Sequence, residues 1–273
     1  MSAFVIVDPQ SPGSGRHWRR LEHKLATLYP YMSVAFLRHR GETAALVTAA
    51  LREGHSEIVA VGGGTANDAI NGFFDADGAV FPDAVLAFVR NGDAIEHLKQ
   101  VPIRPIDIGR VRYLSRNGHP RTRYFATMAS FGLSGMIVDG MNHSLVPRLF
   151  GRRFGFGLQH ALGRLRYKGS PVRLIVDRVL DETVTISTVA VANGRVFGAP
   201  MALAPQAKPD DGQFDVVIHT QGGSGRIIQG RKVIAAPVEE TRGRPVVVEI
   251  GGASTGRLPA TFEILPGALN VRC

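Results

Sequence analysis

Over roughly the first hundred positions, short apolar blocks alternate with stretches in which apolar residues recur every three or four positions. Residues 4–7, 32–37, 58–61 and 84–89 are the blocks, each short and almost wholly apolar. Runs of that length predict buried strands. Between them, Trp18, Leu21, Leu25 and Leu28 are spaced as one face of a helix that starts at Arg16 and stops at Tyr29-Pro30. A second helix is predicted from Gly41-Glu42 to about Gly54, with Ala45, Leu46, Ala49 and Leu51 inward. Ala66, Ala69, Ile70 and Phe73 mark a third, and Asn91-Gly92-Asp93 caps a short fourth reaching about Gln100. Strands alternating with helices predict a parallel sheet covered on both faces.

From about Ile106 the texture changes. β-branched runs separated by turn residues replace the alternation, at 123–127, 172–176, 183–192, 214–218, 245–250 and 260–264. This predicts an antiparallel, β-rich second domain. Two helical inserts interrupt it, at about 133–141 and about 150–167. The expected division is therefore an α/β domain over 1–108 and a β-rich domain over 109–273.

In a parallel α/β sheet, ligands bind beyond the carboxyl ends of the strands. The loops that leave those ends, at 8–15, 62–65 and 90–93, are rich in Gly, Asn, Asp and Ser. Gly62-Gly63-Gly64-Thr65 lies between a strand and a helix, an arrangement that aims backbone N–H groups at an anion. It matches neither the P-loop nor the G-x-G-x-x-G dinucleotide pattern. A tight strand-to-helix turn with Thr65 as helix cap explains the same residues.

Composition narrows the class. At 44% hydrophobic and 20% charged residues the chain is of globular, not disordered, type. The only cysteine is Cys273, which leaves no internal disulfide or cysteine-based metal cluster and fits a reducing cytoplasm. The first residues lack the basic and apolar regions of a secretory signal and read as a strand. A formal net charge of +9 favours anionic partners, but no nucleic-acid module is present and aromatics are only 7%, so nucleic acid is not the expected partner. Residues 146–168 interleave Arg148, Arg152, Arg153, Arg164 and Arg166 with Phe150, Phe154 and Phe156. That pattern suits weak contact with an anionic membrane surface, and equally a surface helix with a solvated basic face.

Several ordered motifs then give the chain a family resemblance. They are the 5–15 strand and loop, Thr65-Ala66-Asn67-Asp68-Ala69-Ile70-Asn71-Gly72, Arg104 to Gly109, and Phe125 to Gly135. Farther on come Ala192-Asn193-Gly194 to Met201, Asp210-Asp211-Gly212 to Asp215, and Leu258 to Leu269. In this order and spacing the chain resembles the diacylglycerol kinase and sphingosine kinase superfamily, in its bacterial lipid-kinase branch. The resemblance implies an N-terminal parallel-sheet nucleotide-binding domain and a C-terminal β-sandwich-like domain with helical inserts, with a cleft between them. It also implies ATP and Mg²⁺, and transfer of the γ-phosphate to a lipid hydroxyl, a reaction of positioning and charge neutralisation.

By that resemblance, Asp8, Ser11, Gly62, Gly63, Gly64, Thr65, Asn67 and Asn91 are the expected nucleotide- and phosphate-binding residues. Phe131, Asn193, Met201 and Asp210 are expected at the substrate cleft, and Asp93 and Asp211 are the remaining catalytic candidates. No metal-ligand set can be assigned. Asp210-Asp211-Gly212 also reads as a turn and Asp68 as a first-turn helix residue. The chain departs from the family where the chemistry lies. Gly63 stands where the glycine signature carries an aspartate. Gly251-Gly252-Ala253 stand for a late Asp-Gly-Glu, and 222–245 is shorter than expected. The expected function is a diverged lipid-kinase homologue with weak or no ordinary kinase activity, cytoplasmic or peripheral to a membrane. A fold repurposed for another reaction on a small apolar metabolite, or a non-catalytic lipid- or nucleotide-binding pseudokinase, is the alternative.

Overall fold

A computed structural model describes residues 2–9, 18–62, 65–75, 78–89, 95–137, 167, 169–194, 204–221, 225–238 and 245–272. The chain divides into two units, Met1–Ile108 with Pro266–Cys273, and Gly109–Leu265. Residues 266–273, expected in the second domain, thus belong to the first. The reason is strand pairing: Asn270, Val271 and Arg272 run parallel to Val85, Leu86 and Ala87.

In the first unit, β1 (Ala3–Val7) lies between β2 (Ser33–Phe36) and β3 (Glu57–Val61), and β4 (Val85–Val89) pairs with β3. All of these pairings are parallel. Ala3, Val5, Val7, Val59 and Val61 pack on Leu21 and Leu25 of the first helix, α1 (Trp18–Leu28), and on Tyr29 just beyond its end. Residues of the opposite parity, Ile6, Ile58 and Leu86, are equally buried. Both faces of the sheet are therefore covered, and near-continuous apolar strands are the result.

The second helix, α2, spans Thr43–Arg52 and buries Thr43, Val47, Ala50 and Leu51. The face is rotated from the expected one, since Ala45 and Ala49 are exposed. A run as rich in alanine and leucine as this one carries a weak moment, so position 43 and its helical neighbour 47 decide the orientation, not the alanines. The third helix, α3, is only Thr65–Ile70, and Phe73 is buried beyond its end. Ile95–Gln100 forms a 3₁₀ segment where the fourth helix was predicted.

The second unit is antiparallel. Its strands are β6 (Pro120–Phe125), β7 (Met128–Gly132), β8 (Ser170–Val176), β9 (Leu180–Ala192), β10 (Phe214–Thr220), β11 (Arg226–Gly230), β12 (Lys232–Pro237) and β13 (Val247–Ile250). β5 (Ile103–Leu114) enters it and pairs with β6, and β14 (Ala253–Arg272) leaves it. The two long strands change neighbours along their length, and β9 also pairs with β10. β9 pairs with β8 along its first half and β7 along its second, and β14 pairs with β13 and then β12. With β12 on β8 and β13 on β7, the pairings close a ring. The ring encloses a core, while β6 and β11 are end strands among the described residues. Phe131 and Phe262 stack within it at 5.9 Å, among Leu174, Val189, Val233 and Val248.

Of the two expected helical inserts, 133–137 is helical and the rest of both, Tyr167 apart, lies outside the described residues. β5, β7, β11 and β12 were not predicted. No helix among the described residues is long and apolar enough to cross a membrane.

Candidate functional site

The carboxyl ends of β1, β3 and β4 are tied together by backbone hydrogen bonds. Asp8 N–H donates to the Val61 carbonyl at 3.3 Å, and Gly62 N–H donates to the Val89 carbonyl at 3.2 Å. The chain thus leaves three adjacent strands at one edge, which is where a parallel α/β sheet takes its ligand.

Each residue there has a local cause. Gly62 has φ +112°, a conformation that disfavours any side chain, so the turn out of β3 needs glycine. Thr65 is buried and its hydroxyl is directed back to the Val61 carbonyl at 3.4 Å. Asp8 is also buried. Asn67 sits in α3, where its carbonyl accepts from Asn71 Nδ2 at 3.2 Å. Its side-chain Oδ1 is buried with no hydrogen-bond partner. A buried acceptor of this kind suits a ligand hydroxyl, amine or cation. Ser11, Gly63, Gly64, Asn91 and Asp93 lie outside the described residues.

The described candidates in the second unit make structural contacts. Asp210 and Asp211 are exposed ahead of β10, and Asp211 Oδ1 accepts from Gln213 N–H at 3.1 Å, an Asx turn closed by Gly212 at φ +72°. Asn193 is fully buried and its Nδ2 donates to the Ala126 carbonyl at 2.8 Å. Phe131, expected to line a cleft, is instead a ring of the closed core, because the alternation of β7 turns Ala129 and Phe131 inward. Met201 lies outside the described residues.

The structure also shows a carboxylate that the motif reading passed over. Glu249 in β13 is fully buried, paired opposite Ser130 of β7. The Ser130 hydroxyl donates to Glu249 Oε2 at 2.6 Å, and Gly252 N–H donates to Oε1. Burial pushes the Glu249 carboxyl up to about 7, against the pull of those two donors. The signal was a lone acidic residue inside the apolar run 246–250.

Among the described residues no group of three or more His, Cys, Asp or Glu could hold a metal ion. The described residues therefore offer an edge suited to a polar ligand, and do not assemble the carboxylate set of a Mg²⁺-triphosphate centre.

The family model described as the YegS C-terminal NAD kinase beta sandwich-like domain matches residues 128–273. A diacylglycerol kinase of Mycobacterium tuberculosis (strain CDC 1551 / Oshkosh) is 23% identical over 294 residues, covering 91% of each chain. A diacylglycerol kinase structure from Bacillus anthracis strain Sterne superposes with a TM-score of 0.72 at 18% identity, covering 99% of this chain and 96% of that one. An NAD kinase from Archaeoglobus fulgidus, solved in complex with ATP, gives a TM-score of 0.52 at 13% identity, with 100% and 94% covered.

Proposed function

This chain belongs to the bacterial branch of the diacylglycerol kinase and YegS lipid-kinase superfamily, and we propose that it binds a nucleotide but transfers phosphate to ordinary lipid acceptors weakly or not at all. Nucleotide binding is assigned to the edge formed by Asp8, Gly62, Thr65 and Asn67. A nucleotide-binding edge is supported by the kinase relatives, one of them an NAD kinase solved with ATP. The acceptor class is a lipid or a small, partly apolar metabolite bearing a hydroxyl.

The carrying observation is the replacement of acidic residues in two separate motifs, by Gly63 and by Gly251-Gly252-Ala253. A general base contributes about 10²–10⁴-fold and metal-mediated charge neutralisation several kcal/mol more, so losing both leaves little ordinary turnover. Backbone N–H groups at the glycine turn need no side chain to receive an anion. We further propose a weak contact with an anionic membrane surface, supported by the net charge of +9 and by the excess of basic over acidic residues falling in the second unit.

Calorimetric titration with ATP, with and without Mg²⁺, and radiolabel transfer to a lipid panel test the proposal. The expected result is weak nucleotide binding with little Mg²⁺ dependence, and no robust transfer to diacylglycerol or a sphingoid base. Strong Mg²⁺-dependent turnover that Asp93→Ala or Asp211→Ala abolishes would overturn it, and would mean that the carboxylates have moved, not disappeared.

A further inference from the structure

The turn between β13 and β14 consists of two glycines. Glu249 pairs with Ser254 and Ile250 with Ala253, leaving Gly251 and Gly252 at the tip with φ +58° and +86°. Positive φ at both central residues is what a type I′ hairpin turn requires. Glu249 is hydrogen-bonded into this turn through Gly252 N–H and onto β7 through Ser130. Strand alternation turns Val248 and Ile250 into the closed core and Glu249 to the other side of its sheet.

No cation among the described residues is paired with Glu249 on that side. Ser130 of β7 neighbours Ala190 of β9, with Met128, Ala192 and Val217 on the same apolar cluster. The charged and titratable groups of the same face are Asp215 and His219 on β10 and Arg257 on β14, which stands opposite Val247, and Asp215 accepts from Gln229 Nε2 at 3.0 Å. None of them is hydrogen-bonded to Glu249. A fully buried carboxylate held only by two neutral donors is costly in its charged form.

Serine resolves this without moving a heavy atom, because its hydroxyl can donate or accept. When Glu249 is ionised, Ser130 O–H donates to Oε2. When it is protonated, Oε2–H donates to Ser130 Oγ, and Oε1 still accepts from Gly252 N–H. Both states keep the Glu249–Ser130 and Glu249–Gly252 hydrogen bonds, and the states differ by one proton.

We propose that Glu249, with Ser130 and the Gly251-Gly252 turn, is a proton-binding site that takes up one proton on folding and loosens the β13–β14 turn when that proton leaves. The inference does not depend on the kinase reading. Because the folded carboxyl titrates above its ordinary value, the stability it contributes is fully present below about 4.5 and is lost as pH rises through about 7. Above that range the ionised group gains by reaching water, and Gly252 N–H is the amide it releases.

The test uses the full chain. Urea unfolding is followed from pH 4.5 to 8.5 for the native protein and for Glu249→Gln, whose amide keeps a donor for Ser130 and an acceptor for Gly252. The expected folding equilibrium constant of the native protein falls by roughly a hundredfold more than that of the variant across this range. Amide exchange at Gly252, corrected for intrinsic base catalysis, should accelerate above pH 7 in the native protein alone. Parallel pH profiles for the two proteins would overturn the proposal. If Glu249→Gln does not fold, carbon-13 NMR of the glutamate carboxyls in the native protein decides. A carboxyl titrating near neutrality supports the site, and none departing from the ordinary glutamate range overturns it.

Discussion

Glu57 and Glu249 are both buried glutamates, and their partners make them opposite cases. Glu57 meets a cation. Arg272 Nε donates to Glu57 Oε1 at 2.8 Å and Nη2 to Oε2 at 3.3 Å, with side-chain exposures of 9% and 3%. Tyr29 O–H donates to the same carboxylate at 2.8 Å, and Lys99 sits 4.5 Å over the Tyr29 ring. Burial first, and the adjoining carboxylate second, hold the Tyr29 phenol far above its usual range, so it stays a donor. Arg272 Nη1 also donates to the Val101 carbonyl at 3.1 Å, so one guanidinium fastens the end of β14 to two other segments of its unit. Removing one member leaves a buried charge without compensation. Arg272→Ala should therefore cost about 3–5 kcal/mol in urea unfolding. Arg272→Lys should recover only part of that, because an ammonium cannot reproduce the two-pronged contact. Equal stability of Arg272→Ala and the native protein would remove the pair from the account.

At the scale of elements, Gly72 explains how α2 sits. A Cβ at this position would lie 2.5 Å from Val47 Cβ and 2.6 Å from the Ala44 carbonyl oxygen. Thr48 Oγ1 donates to the Gly72 carbonyl at 2.9 Å, so the contact is specific. The close approach presses the Thr43–Val47–Leu51 stripe of α2 against the segment after α3. Gly72→Ala should destabilise by about 1–3 kcal/mol through overpacking, read as a lower urea midpoint with an unchanged slope. In contrast, Asp211→Ala removes one exposed turn hydrogen bond and should cost under about 1 kcal/mol. A larger loss would give Asp211 a role beyond its turn. The same contacts show which elements the sequence made legible. β1, β3 and β4 were readable because both their faces are apolar, and the glycine turn because its backbone demands glycine. The inward face of α2 was not, since its alanines fit either side and Gly72, beyond the end of α3, settles it, not the helix itself. β12 was missed because its core-facing residues after Val233 are as small as Ala235, and β11 because Ile227 is exposed. Glu249 was hidden by its setting, as one acidic residue in an apolar strand reads as an outward-facing position.

For the whole molecule, the distribution of charge separates the two units more sharply than composition does. Basic residues outnumber acidic ones in the second unit and not in the first. Within the second unit, Glu263 on β14 receives three cations, Arg110 at 2.7 Å, Lys232 at 3.1 Å and Arg112 at 3.8 Å. One carboxylate cannot neutralise three cations, so an excess of positive charge remains, with Arg112 and Lys232 about half exposed. The arginine-rich run 146–168, Tyr167 apart, lies outside the described residues, so two separate places could supply an anionic contact. Charge reversal distinguishes them. Each basic residue near an anionic membrane contributes about 1 kcal/mol, so reversing a pair that touches the surface should lower the partition coefficient by roughly tenfold or more. Sedimentation with phosphatidylserine-containing vesicles should show weak binding that fades as salt rises, because charges beyond a Debye length are screened. Arg152→Glu with Arg153→Glu should cause the loss if the 146–168 run makes the contact, and Arg112→Glu with Lys232→Glu if the sheet surface makes it. Unchanged partitioning in both double variants, or binding insensitive to salt, would end the membrane proposal and leave the positive charge to serve a soluble anionic ligand.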